Sequence, residues 1–192
     1  MSNNSSNSTY LLNADEKKAV NSKINDLMKK HPEINQNNFD LIEFIKDKYC
    51  FEIVEAPLDD ETTGFILVDE RQKLRFRSFD THRIIVTNLH LVKFNNYLQK
   101  RRFIVAHEFG HFVLHKKTEQ IQFAKRDTEH FNTKEEQEAE YFARCLLMPE
   151  NRMKDSFSRY DLPISDKVEK ICKEFNVTEN KARYRLQELS LI

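Results

Sequence analysis

Residues 97–116 form the stretch that most limits how this chain of 192 residues can fold. Apolar residues at positions 103–106 and 112–114 enclose the run HEFGH at residues 107–111, and this composition predicts one long, largely buried helix. Imidazoles and carboxylates are costly inside a protein unless they are paired or bound to a ligand. The chain must therefore place a polar site on a helix of its core.

The spacing of the polar residues on this helix is typical of a metal site. His107 and His111 are four residues apart, so both imidazoles lie on one helix face and can reach one ion at about 2.0–2.1 Å. Glu108 lies beside the first of them and can take a proton from a water bound to that ion. Because bound zinc lowers the pKa of such a water toward about 7, the pattern predicts a zinc hydrolase with Glu108 as general base.

Gly110 stands in the middle of the predicted helix, in a chain that has only two glycines. A glycine inside a helix costs about 1 kcal/mol relative to alanine. Its presence predicts that another element, or the substrate, closely approaches the metal side of the helix. A packing constraint in the core would have the same effect.

A catalytic zinc site also needs a third protein ligand and an open fourth position. The metzincin pattern, with a histidine six residues after His111, is excluded because residue 117 is lysine. His115 continues the same helix face, but three ligands on one straight helix span roughly 12 Å and cannot converge on one ion. His115 is therefore favoured as a group behind the ligands or on the substrate side, or as a helix-end histidine that the dipole stabilises.

A second helix, predicted over residues 133–148 and ended by Pro149, offers the remaining ligand. Glu136 and Glu140 share its inward face. Glu136 can bind zinc while Glu140 accepts the free imidazole N–H of a ligand histidine and fixes its tautomer. Glu138 is the alternative ligand. If no metal binds, these glutamates form a solvated acidic first turn that the helix dipole favours.

Two segments together carry a family resemblance. The runs RFIVAHEFGHFVLH at residues 102–115 and EQEAEYFARCLLMP at residues 136–149 resemble the ImmA/IrrE family of zinc metallopeptidases. The likeness covers about residues 64–149. It implies a zincin-like fold, one zinc ion held by His107, His111 and Glu136, and Glu108 as general base. Glu140 departs from the family pattern, in which Asn or Asp is usual.

The resemblance also implies a substrate. Members of this family are typically bacterial or phage-encoded cytoplasmic proteins that cleave helix-turn-helix repressors and so switch on mobile-element or stress-response genes. A repressor of this kind is the implied protein partner of the chain. The group that would stabilise the oxyanion is not fixed by the pattern, and the candidates are Tyr141, His115, His130 and Arg144.

The rest of the chain predicts an α+β domain around the metal helix. Apolar residues at helical spacing predict helices over residues 14–31 and 38–48. Short β-branched and aromatic runs predict a small sheet that packs on the metal helix, and a further strand is considered at residues 73–77. The three main strands are predicted at residues 51–55, 64–68 and 83–87.

The two ends of the chain are predicted to differ from this domain. Residues 1–9 are almost entirely Ser and Asn, so residues 1–13 are predicted to be a disordered tail. The peptidase domain then covers residues 14–150. Residues 151–192 form a C-terminal helical module, in which two short helices around Asn176 form a helix-turn-helix-like pair.

Charge and cysteine content favour a soluble cytoplasmic protein. Lys plus Arg equals Asp plus Glu at 31 each, so no net field attracts nucleic acid or an anionic membrane. The three cysteines are widely separated without CxxC spacing, which argues against disulfides and against a thiolate zinc site. No stretch approaches the roughly 18 apolar residues of a membrane span, and the first residues do not form a secretion signal.

Two alternatives to a peptidase remain open from the sequence. One is a regulator that binds DNA through residues 165–192 and uses zinc for structure only. That segment has six basic and five acidic residues, which favours a helical hairpin that caps the domain or docks a partner over direct nucleic-acid binding. The other is a protein-interaction module with a vestigial site, which would hold no stoichiometric metal.

Overall fold

The computed structural model describes residues 10–37, 39–60, 62–68, 73–74, 77–78, 83–115, 122–125 and 133–192. Within these ranges the chain has the predicted mixed α+β architecture. Its elements in chain order are α1 (Ala14–Lys30), α2 (Leu41–Tyr49), β1 (Glu52–Ala56), β2 (Thr62–Val68), β3 (Lys73–Leu74), β4 (Arg77–Ser78), β5 (Arg83–Asn88), α3 (Tyr97–His115), β6 (Gln122–Lys125), α4 (Lys134–Leu147), α5 (Glu150–Ser158), α6 (Ile164–Phe175) and α7 (Glu179–Glu188). Two 3₁₀ turns, Pro32–Asn35 and Leu89–Lys93, connect these elements.

Four strands form one sheet in the order β1-β5-β2-β6. Strand β1 runs parallel to β5, whereas β2 is antiparallel to both β5 and β6. The two central strands are largely buried, which is expected for strands covered on both faces. In place of the further strand considered at residues 73–77, β3 and β4 pair antiparallel in a separate two-stranded sheet, with Leu74 opposite Arg77.

Side-chain caps fix where the helices that position the site begin. Asn13 accepts a hydrogen bond from the Glu16 amide and starts α1. Helix α2 begins at residue 41, later than the predicted 38, because the Asp40 carboxylate accepts the amide N–H groups of Ile42 and Glu43. Of the predicted tail, residues 1–9 lie outside the described residues.

Helix α3, which carries the predicted metal ligands, lies between the sheet and α4. Both glycines of the chain lie where α3 contacts these two neighbours. A Cβ at Gly64 in β2 would lie 2.6 Å from Cγ2 of Ile104 in α3. A Cβ at Gly110 in α3 would lie 2.9 Å from Cδ1 of Phe142 and 3.3 Å from Cα of Ala139, both in α4. Close approach of another element to Gly110, one of the predicted reasons for this glycine, is therefore confirmed.

The C-terminal helices share the core of the rest of the molecule. Pro149 ends α4 as predicted and also precedes α5, a helix that the sequence pattern did not predict. Asn176, in the left-handed region with φ 50°, separates α6 from α7. Ile171 and Leu186 belong to the same buried cluster as Phe109 of α3, so the core continues across residue 150. None of the helices described here has the length and apolar character that a membrane span requires.

Candidate metal centre

Three potential ligands converge between α3 and α4. The Nε2 atoms of His107 and His111 are 3.1 Å apart. The Glu136 carboxylate reaches both rings, with Oε2 3.1 Å from His107 Nε2 and Oε1 3.3 Å from His111 Nε2. One donor atom from each residue lies within 4.8 Å of the others. The predicted set of two histidines and this glutamate is thus brought together in one place.

Local structure explains why these three side chains meet. The four-residue spacing places both histidines on one face of α3. Thr133 caps α4 by accepting the Glu136 amide at 3.3 Å, which places the Glu136 carboxylate in the first helical turn. The close contact of Gly110 with Ala139 then holds this turn of α4 near the histidines.

The donor atoms of the three groups suit a metal ion. Burial lowers the pKa of His111 and keeps its imidazole neutral. Burial raises the pKa of Glu136, but its contacts with His107 and His111 outweigh burial and hold that pKa well below its usual range. Burial likewise opposes protonation of His107, but the Glu136 hydrogen bond and nearby carboxylates raise its pKa overall. Two imidazoles and an ionised carboxylate are a donor set of catalytic zinc sites, so these residues fit zinc.

Glu108 is a buried carboxylate beside the three potential ligands. It is 1% exposed, and burial raises its pKa to about 7. Within the part of the chain that the structure describes, its Oε1 atom has no hydrogen-bond partner. The residue nevertheless lines the cavity at the site, where a reactant can reach it. A carboxyl group with these properties can accept and return a proton near neutral pH.

His115 and Glu138 form a hydrogen-bonded chain behind His111. His111 Nδ1 lies 3.2 Å from His115 Nδ1, and His115 Nε2 lies 3.0 Å from Glu138 Oε2. When Nε2 of a neutral His115 donates to the Glu138 carboxylate, Nδ1 of His115 can accept the Nδ1–H of His111. This arrangement leaves the lone pair of His111 Nε2 free for a metal. Among the described residues, neither His115 nor Glu138 belongs to the convergent ligand group.

Glu140 lies behind the other histidine but does not hydrogen-bond to it. Its Oε2 is 3.9 Å from His107 Nδ1, which is too long for the predicted hydrogen bond. Its Oε1 accepts from Arg144 Nη1 at 2.9 Å and from Lys181 Nζ of α7. Burial raises the pKa of Glu140, but the two cations outweigh it and lower the pKa, so this carboxylate is anionic beside the ring.

A cavity of about 380 Å³ opens at the ligand group. His107, Glu108 and Glu136 form part of its wall. The rest of the cavity wall comes from the ends of strands, from the turn before α3 and from α7. The sequence pattern did not identify these regions as part of the site. Examples of these additional wall residues are Thr62, Asn88, His90, Phe94, Lys100 and Lys181.

The side chains predicted as candidates to stabilise the oxyanion of the reaction intermediate form other contacts or lie outside the described residues. Tyr141 accepts a hydrogen bond from Asn21 Nδ2 at 3.0 Å, and Arg144 is paired with glutamates of α4 and α7. His115 is held in the chain behind His111. None of these three forms part of the cavity wall, and His130 lies outside the described residues.

Two histidines and a glutamate that converge beside a buried glutamate, on helices packed against a small sheet, define a metallopeptidase-type domain with a zincin-like fold. Residues 56–187 match the IrrE N-terminal-like domain of the Peptidase_M78 family, and the chain belongs to that family. The match confirms the resemblance to ImmA/IrrE proteins. It also extends beyond residue 149 into α7. No curated protein matches the chain.

Proposed function

We propose that the protein is a zinc-dependent endopeptidase. The observation that carries this proposal is the convergence of His107, His111 and Glu136 within 4.8 Å of one another, with His107 and Glu136 in the wall of a cavity. Three protein ligands beside an accessible space are typical of catalytic zinc sites, whereas structural sites are closed by four. The cavity gives a substrate access to the fourth position.

Glu108 performs the proton transfers in this proposal. When bound, zinc supplies Lewis acidity, which polarises the scissile carbonyl and makes the attacking water more acidic. Glu108 takes a proton from that water and delivers it to the leaving amine. His115 and Glu138 keep the Nε2 lone pair of His111 available during the reaction.

We further propose that the substrate is a helix-turn-helix repressor, whose cleavage would switch on the genes that it represses. Family membership and the two matching motifs support this choice. We place the reaction in the cytoplasm, because the three cysteines of the chain are free. The one metal ion in this proposal is zinc.

The experiment is incubation of the purified protein with helix-turn-helix regulators encoded beside its gene, followed by mass spectrometry of the fragments. The key variant is Glu108→Gln, which keeps the shape of the side chain and cannot accept a proton. We expect it to retain zinc and to lose about 10²–10⁴-fold in cleavage rate. Exposed Glu150→Gln is the matched control and should cleave normally. Substantial proteolysis by the Glu108→Gln variant would exclude this role for Glu108.

Contacts of the C-terminal helices support the hairpin interpretation over DNA binding. Lys181 is paired with Glu140 of α4. Arg185 is buried and donates to the Met148 carbonyl. These two cations stabilise the fold and are not free to bind phosphates. Salt-sensitive binding of the protein to duplex DNA through α7 would contradict this interpretation.

A further inference from the structure

The 3₁₀ turn before α3 exposes apolar side chains next to the cavity. Leu89 is 44% exposed, Val92 is 54% exposed, and Phe94 just after the turn is 41% exposed. Side chains three residues apart are eclipsed in a 3₁₀ helix, so Leu89 and Val92 form one apolar row. Single exposed apolar residues are ordinary, whereas a group of them marks interaction sites.

Two lysines frame this apolar surface. The ammonium groups of Lys93 and Lys100 lie 5.6 Å and 3.4 Å from the centroid of the Phe94 ring. The next cation along α3, Arg101, is neutralised by Glu55. Within the described ranges no carboxylate lies within 4.0 Å of Lys93 or Lys100. The sequence also has no Asp or Glu at residues 81–107, so neither lysine has an acidic neighbour in its own segment of the chain.

This surface is continuous with the candidate metal centre. Lys93, Phe94 and Lys100 line the same cavity as His107 and Glu108. We call the surface the mouth patch, and its members are Leu89, Val92, Lys93, Phe94 and Lys100.

We propose that the mouth patch is a docking surface for the substrate polypeptide and selects a segment in which apolar side chains stand beside Asp or Glu. The inference rests on the proposed peptidase function, because the patch borders that site. The two lysines, which form no ion pair with a described carboxylate, complement an acidic partner. The apolar row of Leu89 and Val92 gains nothing from the phosphate backbone of a nucleic acid, which favours a polypeptide.

Binding to two probe peptides tests the proposal. Both are fluorescein-labelled and share their leucines, and they differ only in carrying glutamate or lysine at the other positions. We expect the zinc-loaded Glu108→Gln protein to bind the glutamate probe at least about tenfold more tightly at low salt, measured by fluorescence anisotropy. Equal binding of the two probes would overturn the proposal.

Surface variants identify the residues responsible. Lys93→Glu with Lys100→Glu should invert the preference, whereas Lys23→Glu with Lys30→Glu, an equal charge change on exposed sites of α1, should not. Leu89→Ser with Val92→Ser should weaken binding of the glutamate probe. The control for this change is Ile164→Ser, at a residue 50% exposed in α6. Unchanged probe binding by either mouth-patch variant would contradict the proposal.

Cleavage of a proteome-derived peptide library separates this inference from the peptidase assignment. Wild type should show Asp or Glu enriched on one side of the cleaved bonds, and the double lysine variant should lose that enrichment while keeping its zinc. Cleavage without an acidic preference would overturn the mouth patch and leave the peptidase. A glutamate-probe preference without any cleavage would support the patch and count against the peptidase. Tighter binding of duplex DNA or anionic vesicles than of the probe, lost in the double lysine variant, would also overturn the patch.

Discussion

His115 and Glu138 decide which ring nitrogen of His111 carries the proton, although neither belongs to the ligand group. The carboxylate holds His115 Nε2–H, and His115 in turn accepts Nδ1–H of His111. A histidine with its other nitrogen fixed in this way binds a metal in one orientation and one tautomer. The affinity of the site therefore depends on residues one step removed from it.

A substitution at His115 tests whether this chain of hydrogen bonds positions the metal ligand. Replacing His115 by Phe removes the acceptor for His111 Nδ1–H, and we expect zinc affinity to fall about 10–100-fold. Competition with a chromophoric chelator measures it. Glu138→Gln can still accept from His115 and should have a smaller effect. Zinc affinity equal to wild type in a folded His115→Phe protein would show that the chain does not position the ligand.

A substitution at Gly110 tests how tightly α3 and α4 pack. In Gly110→Ala the new Cβ would contact Phe142 and Ala139, so α3 and α4 must separate. Overpacking of this kind costs about 1–3 kcal/mol, which exceeds or offsets the gain of about 1 kcal/mol in helix propensity. We expect weaker zinc binding together with no gain in the free energy of unfolding, measured with denaturant. Exposed Ser22→Ala is the control, and stabilisation by Gly110→Ala would contradict the tight contact.

Residue spacing predicted part of the site. The i, i+4 histidines follow from helix geometry, and Glu136 was expected from its place on the inward face of α4. The pairing of His115 with Glu138, and of Glu140 with Lys181, joins residues 23 and 41 positions apart. Such contacts depend on how helices pack, which no local pattern contains.

Helix α7 is joined to α4 by alternating charges. Lys181 contacts Glu140, and Arg144 of α4 lies 2.7 Å from Glu188 of α7. Lys181 and Glu188 are seven residues apart, so they lie two turns apart on one face of α7. The helix thus holds the Glu140 carboxylate, which lies 3.9 Å from His107 Nδ1, and also forms part of the cavity wall.

The prediction for this element is that α7 influences the metal centre. Lys181→Met keeps much of the apolar stem but removes one of the two cations that hold the Glu140 carboxylate, and we expect zinc affinity to fall about tenfold. The thermal midpoint should change little, because one partly exposed ion pair contributes at most about 1 kcal/mol. Lys181→Arg is the matched control and should retain most of the affinity. If Lys181→Met binds zinc like wild type, α7 acts only as a cap.

The sequence predicted the helices whose apolar residues recur at helical spacing. It did not predict the elements that depend on contacts with other parts of the fold. Helices α3, α4, α6 and α7 lie close to their predicted bounds. The sequence pattern does not predict helix α5, because it assigns Pro149 to the end of α4, whereas a proline is also favourable at the start of a helix. Strand β6 was missed because it is a short edge strand whose hydrogen bonds come from β2.

At the scale of the molecule, one hydrophobic core connects α1 to α7. A metal that binds only the folded chain stabilises all of it, by about 4.1 kcal/mol when free zinc is 1,000 times its dissociation constant. For a chain of this size, 1 kcal/mol shifts the unfolding midpoint by about 2–4 °C.

The prediction is that a chelator lowers the unfolding midpoint by about 8–16 °C under that condition. Differential scanning calorimetry with and without chelator measures the shift. A His107→Ala, His111→Ala double variant lacks two of the three donors and should show no chelator effect. A wild-type midpoint that does not respond to the chelator would argue that zinc does not bind here.

The mouth patch is a local concentration of positive charge that the overall composition does not reveal. Equal numbers of acids and bases gave no indication of a partner. The three-dimensional arrangement nevertheless leaves Lys93 and Lys100, beside exposed Val92, without a carboxylate at ion-pair distance among the residues that the structure describes. Local charge therefore depends on which residues find partners in the fold.

The two glycines have a consequence for how such a protein can evolve. Every other amino acid adds at least a Cβ, so a change at Gly64 or Gly110 must shift the groups that pack against it. Side chains of the mouth patch are exposed and tolerate substitution with little loss of stability. A lineage under selection for a new target would therefore accumulate changes around the opening while these two positions stay invariant. Comparing diverged descendants from a laboratory selection would display this contrast directly.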